Sequence, residues 1–175
     1  MAQPGAFEFD RFQGLSREAQ YKIDAELRTL YERTEASLLI LSEKSGRIVS
    51  VEGGLNGLDA SVLSAVSASF FAALAEIGNL IGERRRSAYQ YFEGENYKIY
   101  LSFVNDDFFL TAIFAGRVPL GLVRTYSNQA LKTIRTWLLE VELNATREEA
   151  ARVVDTEFAA EVDLTLDELL GDDVL

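Results

Sequence analysis

Few side chains in this chain could carry out catalysis, because its 175 residues include no His and no Cys. Thiolate nucleophiles, imidazole bases, disulfides and zinc sites built on Cys or His all need residues that are missing. The adjacent acids Asp106 and Asp107 are one pair that could perform acid/base work or hold a metal. Adjacent acids between two strands are, however, typical turn formers. The composition favours a protein that is not an enzyme, and no catalytic, cofactor-binding or metal-binding residue is predicted.

A glycine-rich loop, Gly53-Gly54-Leu55-Asn56-Gly57, precedes the longest predicted helix. Such loops can cradle phosphates, since glycine lets backbone N–H groups approach an anion closely. This loop has no Lys and does not match the G-x-x-x-x-G-K-[ST] pattern of phosphate-binding loops. We therefore predict a turn.

Three consecutive arginines, Arg84, Arg85 and Arg86, follow that helix. An arginine that reaches a γ-phosphate can accelerate phosphoryl transfer, so an arginine finger is one interpretation. A second is that they stabilise the helix end, because cations favour the negative pole of the helix dipole. A third is that they bind acidic groups, on a partner or on the chain's own acidic end.

Acidic residues are concentrated at the end of the chain. Residues 140–175 contain 12 acidic and 2 basic side chains, whereas the whole chain has a formal net charge of -11. An acidic segment repels phosphates and anionic lipids, so neither nucleic acid nor membrane is a predicted partner. The first residues lack the basic start and apolar run of a signal peptide, which predicts a cytoplasmic location.

The elements that position these residues follow from hydrophobic periodicity and turn signals. Strands apolar on both faces indicate a sheet covered by helices on both sides. The predicted helices and strands are, in chain order, a helix from Ser16 to about Glu35, strands Ser37–Leu41 and Arg47–Glu52, a helix Asp59–Glu83, strands Ser87–Glu93, Tyr97–Val104 and Phe108–Ala115, and a helix from about Leu122 to Leu143.

The second helix is the most informative, because Glu76 is its only charged side chain between its two ends. A surface helix normally has one polar face, so this one is predicted to be covered on both sides. Its serines and Asn79 make it a poor lipid-facing segment. We predict that the large side chains face the domain core and the small ones face a second subunit. The large set is Leu63, Phe70, Leu74, Ile77 and Ile81; the small set includes Ser61, Ser64, Ala65, Ala68, Ala72 and Ala75.

Three regions are predicted: an N-terminal tail (1–14), a domain (15–143) and an acidic C-terminal extension (144–175). Two T-x-x-E capping boxes, at Thr146 and Thr165, predict short helices in the extension. Helices this short are unstable alone in water, so an amphipathic element that orders against a surface is predicted. The alternative is a terminal segment that packs on its own domain. The docking residues would be Phe158, Leu164, Leu166, Leu169 and Leu170.

The order of elements resembles the roadblock/dynein-light-chain family over about Ser16 to Leu143. The motifs that carry the resemblance are the hairpin Ser45-Gly46-Arg47-Ile48-Val49, the small-residue helix, and Pro119-Leu120-Gly121-Leu122-Val123-Arg124 before the last helix. Within the family the chain looks most like the bacterial MglB type, whose members carry a C-terminal extension.

The resemblance implies an α/β fold with three α-β-α layers, similar to profilin and longin domains, and a five-stranded antiparallel sheet. It also implies a homodimer formed through the second helix and the strand after it, and binding of a small Ras-like GTPase whose GTP hydrolysis is stimulated without an arginine finger. The alternative is a dimeric scaffold or regulatory subunit without GTPase stimulation. The sequence names neither the GTPase nor the process. The predicted dimer or partner interface comprises Ser61, Ser64, Ala65, Ala68, Ala72, Ala75, Arg84, Arg85, Arg86, Tyr89 and Tyr91.

Overall fold

The computed structural model describes residues 15–83, 89–141 and 143. The chain divides into two compact units, residues 1–137 and 138–175. In the second unit, residues 138–141 and 143 are described and are helical. The elements of the first unit are α1 (Arg17–Thr34), β1 (Ala36–Glu43), β2 (Ile48–Gly53), α2 (Ala60–Leu80), β3 (Tyr89–Glu93), β4 (Tyr97–Phe103), β5 (Phe108–Ala115) and α3 (120–137). The predicted order α-β-β-α-β-β-β-α is confirmed.

Helix α1 begins and ends where its sequence requires. The Ser16 hydroxyl accepts a hydrogen bond from the Ala19 N–H at 3.2 Å and so satisfies one of the free N–H groups of the first turn. At the other end Glu35 adopts a left-handed conformation with φ 49, which turns the chain directly into β1. Its apolar stripe of Ile23, Leu27 and Leu30 is buried.

The five strands form one antiparallel sheet in the order β2-β1-β5-β4-β3. Strands β1 and β5 lie at its centre, and β5 is buried along almost its whole length. The structure thus confirms the expectation that a strand apolar on both faces lies in a sheet covered on both sides.

Register assigns each helix to a face of the sheet, because directly opposed residues point the same way. One row crosses all five strands through Ser50, Leu41, Leu110, Ser102 and Tyr89. The Ser50 hydroxyl donates to Asp24 of α1 at 2.6 Å, and the Arg124 guanidinium of α3 lies 4.6 Å from the Tyr89 ring centroid. Helices α1 and α3 therefore share this face.

The opposite row, Val51, Ile40, Thr111, Leu101 and Gln90, faces α2. Two helices cover one side of the sheet and α2 covers the other, which gives the predicted three layers. Within the described residues, α2 is also the one helix that meets the length and composition of a membrane span, although only 22% of its apolar window is buried. Its contacts with the sheet, given below, make it a layer of this domain.

Candidate functional site

Helix α2 is fixed on the sheet by a buried serine pair. The Ser64 hydroxyl donates to the Gly46 carbonyl oxygen at 2.7 Å and accepts from the Ser42 hydroxyl, with 2.6 Å between the two Oγ atoms. Both serines are 0% exposed. Because each polar atom has a partner, burial here does not incur the penalty of an unsatisfied group. The hairpin turn between β1 and β2 is thereby attached to the first half of the helix.

The turn at Gly46 also explains why small residues face it. Gly46 has φ 88, and a Cβ built there would lie 3.0 Å from the Ala65 Cα. Helix and hairpin backbones thus approach so closely that large side chains do not fit between them.

One aromatic side chain anchors the middle of α2. The Phe71 ring centroid lies 4.2 Å from that of Phe103 and 5.0 Å from that of Phe109. Ala68 and Leu101 complete this cluster. Tilted aromatic pairs at such distances stabilise a core beyond the area they bury.

The orientation predicted for α2 is therefore wrong in part: Leu63 packs against the core as predicted, whereas Phe70, Ile77 and Ile81 are exposed. The inner face consists of the buried residues Ser64, Ser67, Ala68 and Phe71. Ser64 and Ala68, predicted to face a second subunit, instead contact the chain's own sheet. Helical spacing identified two apolar sides of α2. The side with the smaller residues faces the sheet, because the hairpin approaches the helix closely there, and sequence spacing does not reveal that contact.

The outer face of α2 carries most of its large side chains. Their exposed fractions range from 44% for Phe70 to 78% for Leu80, so a large part of each side chain faces solvent. They recur at helical spacing along one side, so they form a continuous stripe. We call this set the apolar flank: Val62, Val66, Phe70, Ile77, Leu80 and Ile81.

A second exposed side of α2 is small and polar. Ser61, Ala65 and Ala72 of the predicted interface lie here and are exposed, whereas Ala75 is half-buried. Asn79 donates to the Glu76 carboxylate at 3.4 Å on the same side. We call this set the small flank: Ser61, Ala65, Ser69, Ala72, Glu76 and Asn79. The two flanks are thus chemically different surfaces.

The β3 edge of the sheet extends the apolar surface. Phe92 of β3 is 61% exposed and Tyr97 of β4 is 45% exposed, and their register places both on the side of α2. Tyr89 and Tyr91 lie on the opposite side, since Tyr91 pairs with Tyr100 and the Tyr89 ring stacks on Tyr100 at 5.5 Å. That Tyr89 and Tyr91 belong to a dimer or partner interface stays a prediction. Such an interface would lie on the face of the sheet that carries α3.

Tyr100 belongs to a polar cluster beneath α3. Burial raises the pKa of its phenol above the ordinary value, while the Ser102 hydroxyl and the Arg124 charge oppose that shift. The neutral phenol is thus the form that the folded domain favours.

The acidic pair adopts the geometry of a turn. The Asn105 side chain accepts hydrogen bonds from the N–H groups of Asp107 at 3.0 Å and Phe108 at 2.9 Å, and Asp107 pairs with Lys44. Among the described residues, no group of three or more His, Cys, Asp or Glu is placed to hold a metal ion.

The glycine-rich loop borders an apolar cavity of about 530 Å³ between the end of β2 and the start of α2. The Asp59 carboxylate accepts from the Ser61 N–H at 2.8 Å, so an acid already occupies the N-terminus where a phosphate would bind. Gly53 and Gly57 have φ 82 and φ 76, which explains them as turn residues. Arg84 to Arg86 and the tail residues Phe158, Leu164, Leu166, Leu169 and Leu170 lie outside the described residues.

Comparison with solved structures gives this architecture a class. MglB of Myxococcus xanthus superposes with a TM-score of 0.68 and 28% sequence identity, covering 73% of this chain and 95% of that chain. MglB of Thermus thermophilus has a TM-score of 0.64 at 20% identity, over 72% and 95% of the two chains. A roadblock/LC7 domain of Streptomyces avermitilis has a TM-score of 0.61 at 16% identity, over 66% and 97%. No protein-family model matches the chain, and no curated protein matches it.

The domain therefore has the roadblock/LC7 fold, as the hairpin, the small-residue helix and the order of elements predicted. Within that class it resembles MglB, and these neighbours favour a regulatory roadblock-type protein.

Proposed function

We propose that this protein is a homodimeric regulator that binds a small Ras-like GTPase and stimulates its GTP hydrolysis. The likeness to MglB supports the class of function. The observation that carries the proposal is the exposed apolar flank of α2 beside the β3 edge. The apolar flank and the β3 edge form a surface suited to a protein partner rather than a small molecule.

The apolar flank is the part we assign to the second copy. Burying a large apolar side chain completely is worth about 1.5 to 3 kcal/mol, and at least 44% of each flank side chain remains exposed in the single chain. Six such side chains on one helix exceed what scattered surface residues explain. A two-fold axis beside α2 would pack the same stripe of both copies against each other.

The β3 edge supports the same arrangement. Strand β3 ends the sheet, and within the described part of the chain no strand pairs with its outer side. Pairing of β3 with its copy would continue the sheet across the dimer and cover Phe92. A further neighbour of this fold is an MglB with a tetrameric arrangement, so self-association is a property of that protein.

The small flank stays exposed in such a dimer, and we assign it to the GTPase. Glu76 is its one charged residue, so recognition would depend on shape and on hydroxyl and amide hydrogen bonds. Stimulation would then come from positioning the GTPase's own catalytic groups, since orientation alone can contribute strongly to phosphoryl transfer. The acidic extension would supply a further contact.

Light scattering of the purified full chain tests the dimer. We expect the mass of two chains at micromolar concentration. The mass of a single chain at that concentration would refute the homodimer.

The GTPase role is tested with a small Ras-like GTPase from the same genome, loaded with GTP or GDP. We expect preferential binding to the GTP form and faster phosphate release, because a switched partner requires different affinities for its two states. Equal binding to both forms without faster hydrolysis would favour the scaffold alternative. Removal of residues 144–175 should weaken the complex and leave the dimer intact.

A further inference from the structure

Strand β2 forms the second edge of the sheet, opposite β3. In the ranges that the structure describes, β1 is its only partner strand. An uncovered edge presents free N–H and C=O groups that invite pairing with other chains, and proteins usually cover it. What lies against β2 is therefore a question the fold itself raises.

The apolar cavity lies beside the end of this edge. Its walls come from Leu38 and Val51 of the sheet, from the glycine-rich loop, and from Ala60 and Ser61 of α2. A volume of about 530 Å³ accommodates an aromatic side chain with room to spare. The cavity is thus large and apolar enough to hold an apolar side chain.

Gly54 supplies a second observation at the same place. A Cβ built on Gly54 would have no atom within 4 Å, and its φ lies outside the left-handed region. Neither conformation nor crowding by the described residues therefore requires glycine here. Gly54 thus leaves open space beside the cavity.

The start of α1 brings the preceding chain to this edge. Helix α1 runs along β2 through three contacts: Gln20 Nε2 to the Val49 carbonyl at 2.9 Å, Ser50 to Asp24 at 2.6 Å, and Arg28 to Glu52 at 3.2 Å. Ser16, one turn before Gln20, is therefore near the beginning of β2. Residues 1–14 enter the domain at that point.

The sequence of this entering segment has the pattern of an edge strand. In residues 7–10, Phe7 and Phe9 share one face and Glu8 and Asp10 share the other, and this alternation ends at Arg11 and Phe12. Gly14 gives the chain freedom to turn before α1. Fourteen residues can extend about 46 Å, whereas Val49 to Gly53 spans about 13 Å of strand.

We propose that residues 6–12 pair as an antiparallel strand with the outer edge of β2 and place Phe9 in the cavity beside Gly54. Counting back from Ser16 along β2 brings Phe9 level with Val51 to Gly53, where the cavity opens. The N-terminal segment would close one sheet edge and leave β3 as the edge for a second copy. This inference goes beyond the proposed function and does not depend on it.

Because the chain contains no Cys, an engineered disulfide tests the proposal cleanly. The test variant carries Phe9→Cys with Gly54→Cys, and the control carries Phe9→Cys with Arg117→Cys, a position 77% exposed. In a glutathione redox buffer we expect the disulfide within one chain to form at least tenfold more readily in the first pair. Intact-mass spectrometry and non-reducing gels give the readout.

Two outcomes would overturn the proposal. Equal disulfide formation in both pairs would mean that the segment does not settle on β2. A disulfide between two chains would mean that the edge is covered by another copy.

Hydrogen exchange of the full chain gives a measurement without cysteines. In the variant with Phe7→Ser and Phe9→Ser, we expect the Val51 and Gly53 amides to exchange at least tenfold faster. Tyr21→Ser, at a position 75% exposed on α1, is the matched aromatic control and should change nothing there. Unchanged exchange in the double variant would contradict the pairing.

Discussion

The two faces of α2 reverse the usual relation between side-chain size and burial. The inner face buries Ser64, Ser67 and Ala68 around a single large residue, Phe71. The outer face carries the larger apolar side chains, among them Phe70 at 44% and Leu80 at 78% exposure. Small residues let the β1–β2 hairpin approach the helix, and the larger ones on the outer face remain exposed. The apolar character of a residue in this helix therefore does not show which face it occupies.

The largest expected effect separates the neighbours Phe70 and Phe71. Phe71→Ala should lower the free energy of unfolding by about 3 to 5 kcal/mol, because it opens a cavity between Phe103 and Phe109. Phe70→Ala should change the unfolding of a single chain little and weaken self-association instead. Urea unfolding monitored by circular dichroism at low protein concentration measures both. Equal losses for the two variants would remove the distinction between the faces.

The next effect separates the two exposed flanks. Val66→Glu puts a charge into the contact assigned to the second copy, and an unpaired buried charge there should weaken the dimer by about 100-fold or more. Ala72→Glu, on the small flank, is the matched control and should keep the dimer while weakening GTPase binding. Analytical ultracentrifugation and a binding titration supply the two measurements. Dissociation by Ala72→Glu alone would exchange the roles of the flanks.

A smaller effect tests the buried serine pair. Ser64→Ala leaves the Gly46 carbonyl and the Ser42 hydroxyl without their partner, and we expect a loss of about 1 to 3 kcal/mol in unfolding free energy. Ser61→Ala, exposed one turn earlier, should stay within about 0.5 kcal/mol of the parent. Chemical denaturation measures the unfolding free energy of both variants. Similar losses in the two would argue that the hydrogen bonds of Ser64 do not anchor the helix.

The smallest effect lies on the other side of the sheet, at Tyr100. Its folded-state pKa is raised by burial, so the stabilisation is complete below the ordinary tyrosine pKa of about 10 and is lost as pH rises beyond it. Tyr100→Phe should make the decline in stability above pH 10 less steep and change little near neutrality. Denaturation at several pH values from 8 to 11 measures this slope. An identical slope in parent and variant would exclude Tyr100 as the source.

The sequence predicted the elements well because their signals are local. Strand β5 occupies Phe108–Ala115 as predicted, since the Asn105 turn fixes its start and its residues are apolar on both faces. Asp59, where the predicted helix begins, is the N-cap of α2. The orientation of α2 depended on a contact between Gly46 and Ala65 that is distant in sequence, and periodicity carries no information about it.

A signal for the inner face of α2 was nevertheless present. Ser64, Ser67, Ala68 and Phe71 follow the i, i+3, i+4, i+7 spacing of a buried stripe. This stripe was not recognised, because the large residues on the neighbouring side follow helical spacing equally well and large apolar residues are the ones expected in a core. The cavity beside Gly54 could not be predicted, since it results from how β2, the loop and α2 meet.

The attachment of α2 is uneven along its length, and this has a dynamic consequence. The serine pair and the Phe71 cluster hold its first half, whereas no residue after Phe71 in the helix is fully buried. Local opening requires little free energy where few buried contacts must break. In an isolated chain, amide exchange should therefore accelerate along α2 from its first half to Leu80. A partner seated on the outer face would slow the last turns most, so the same helix would report both folding and occupancy.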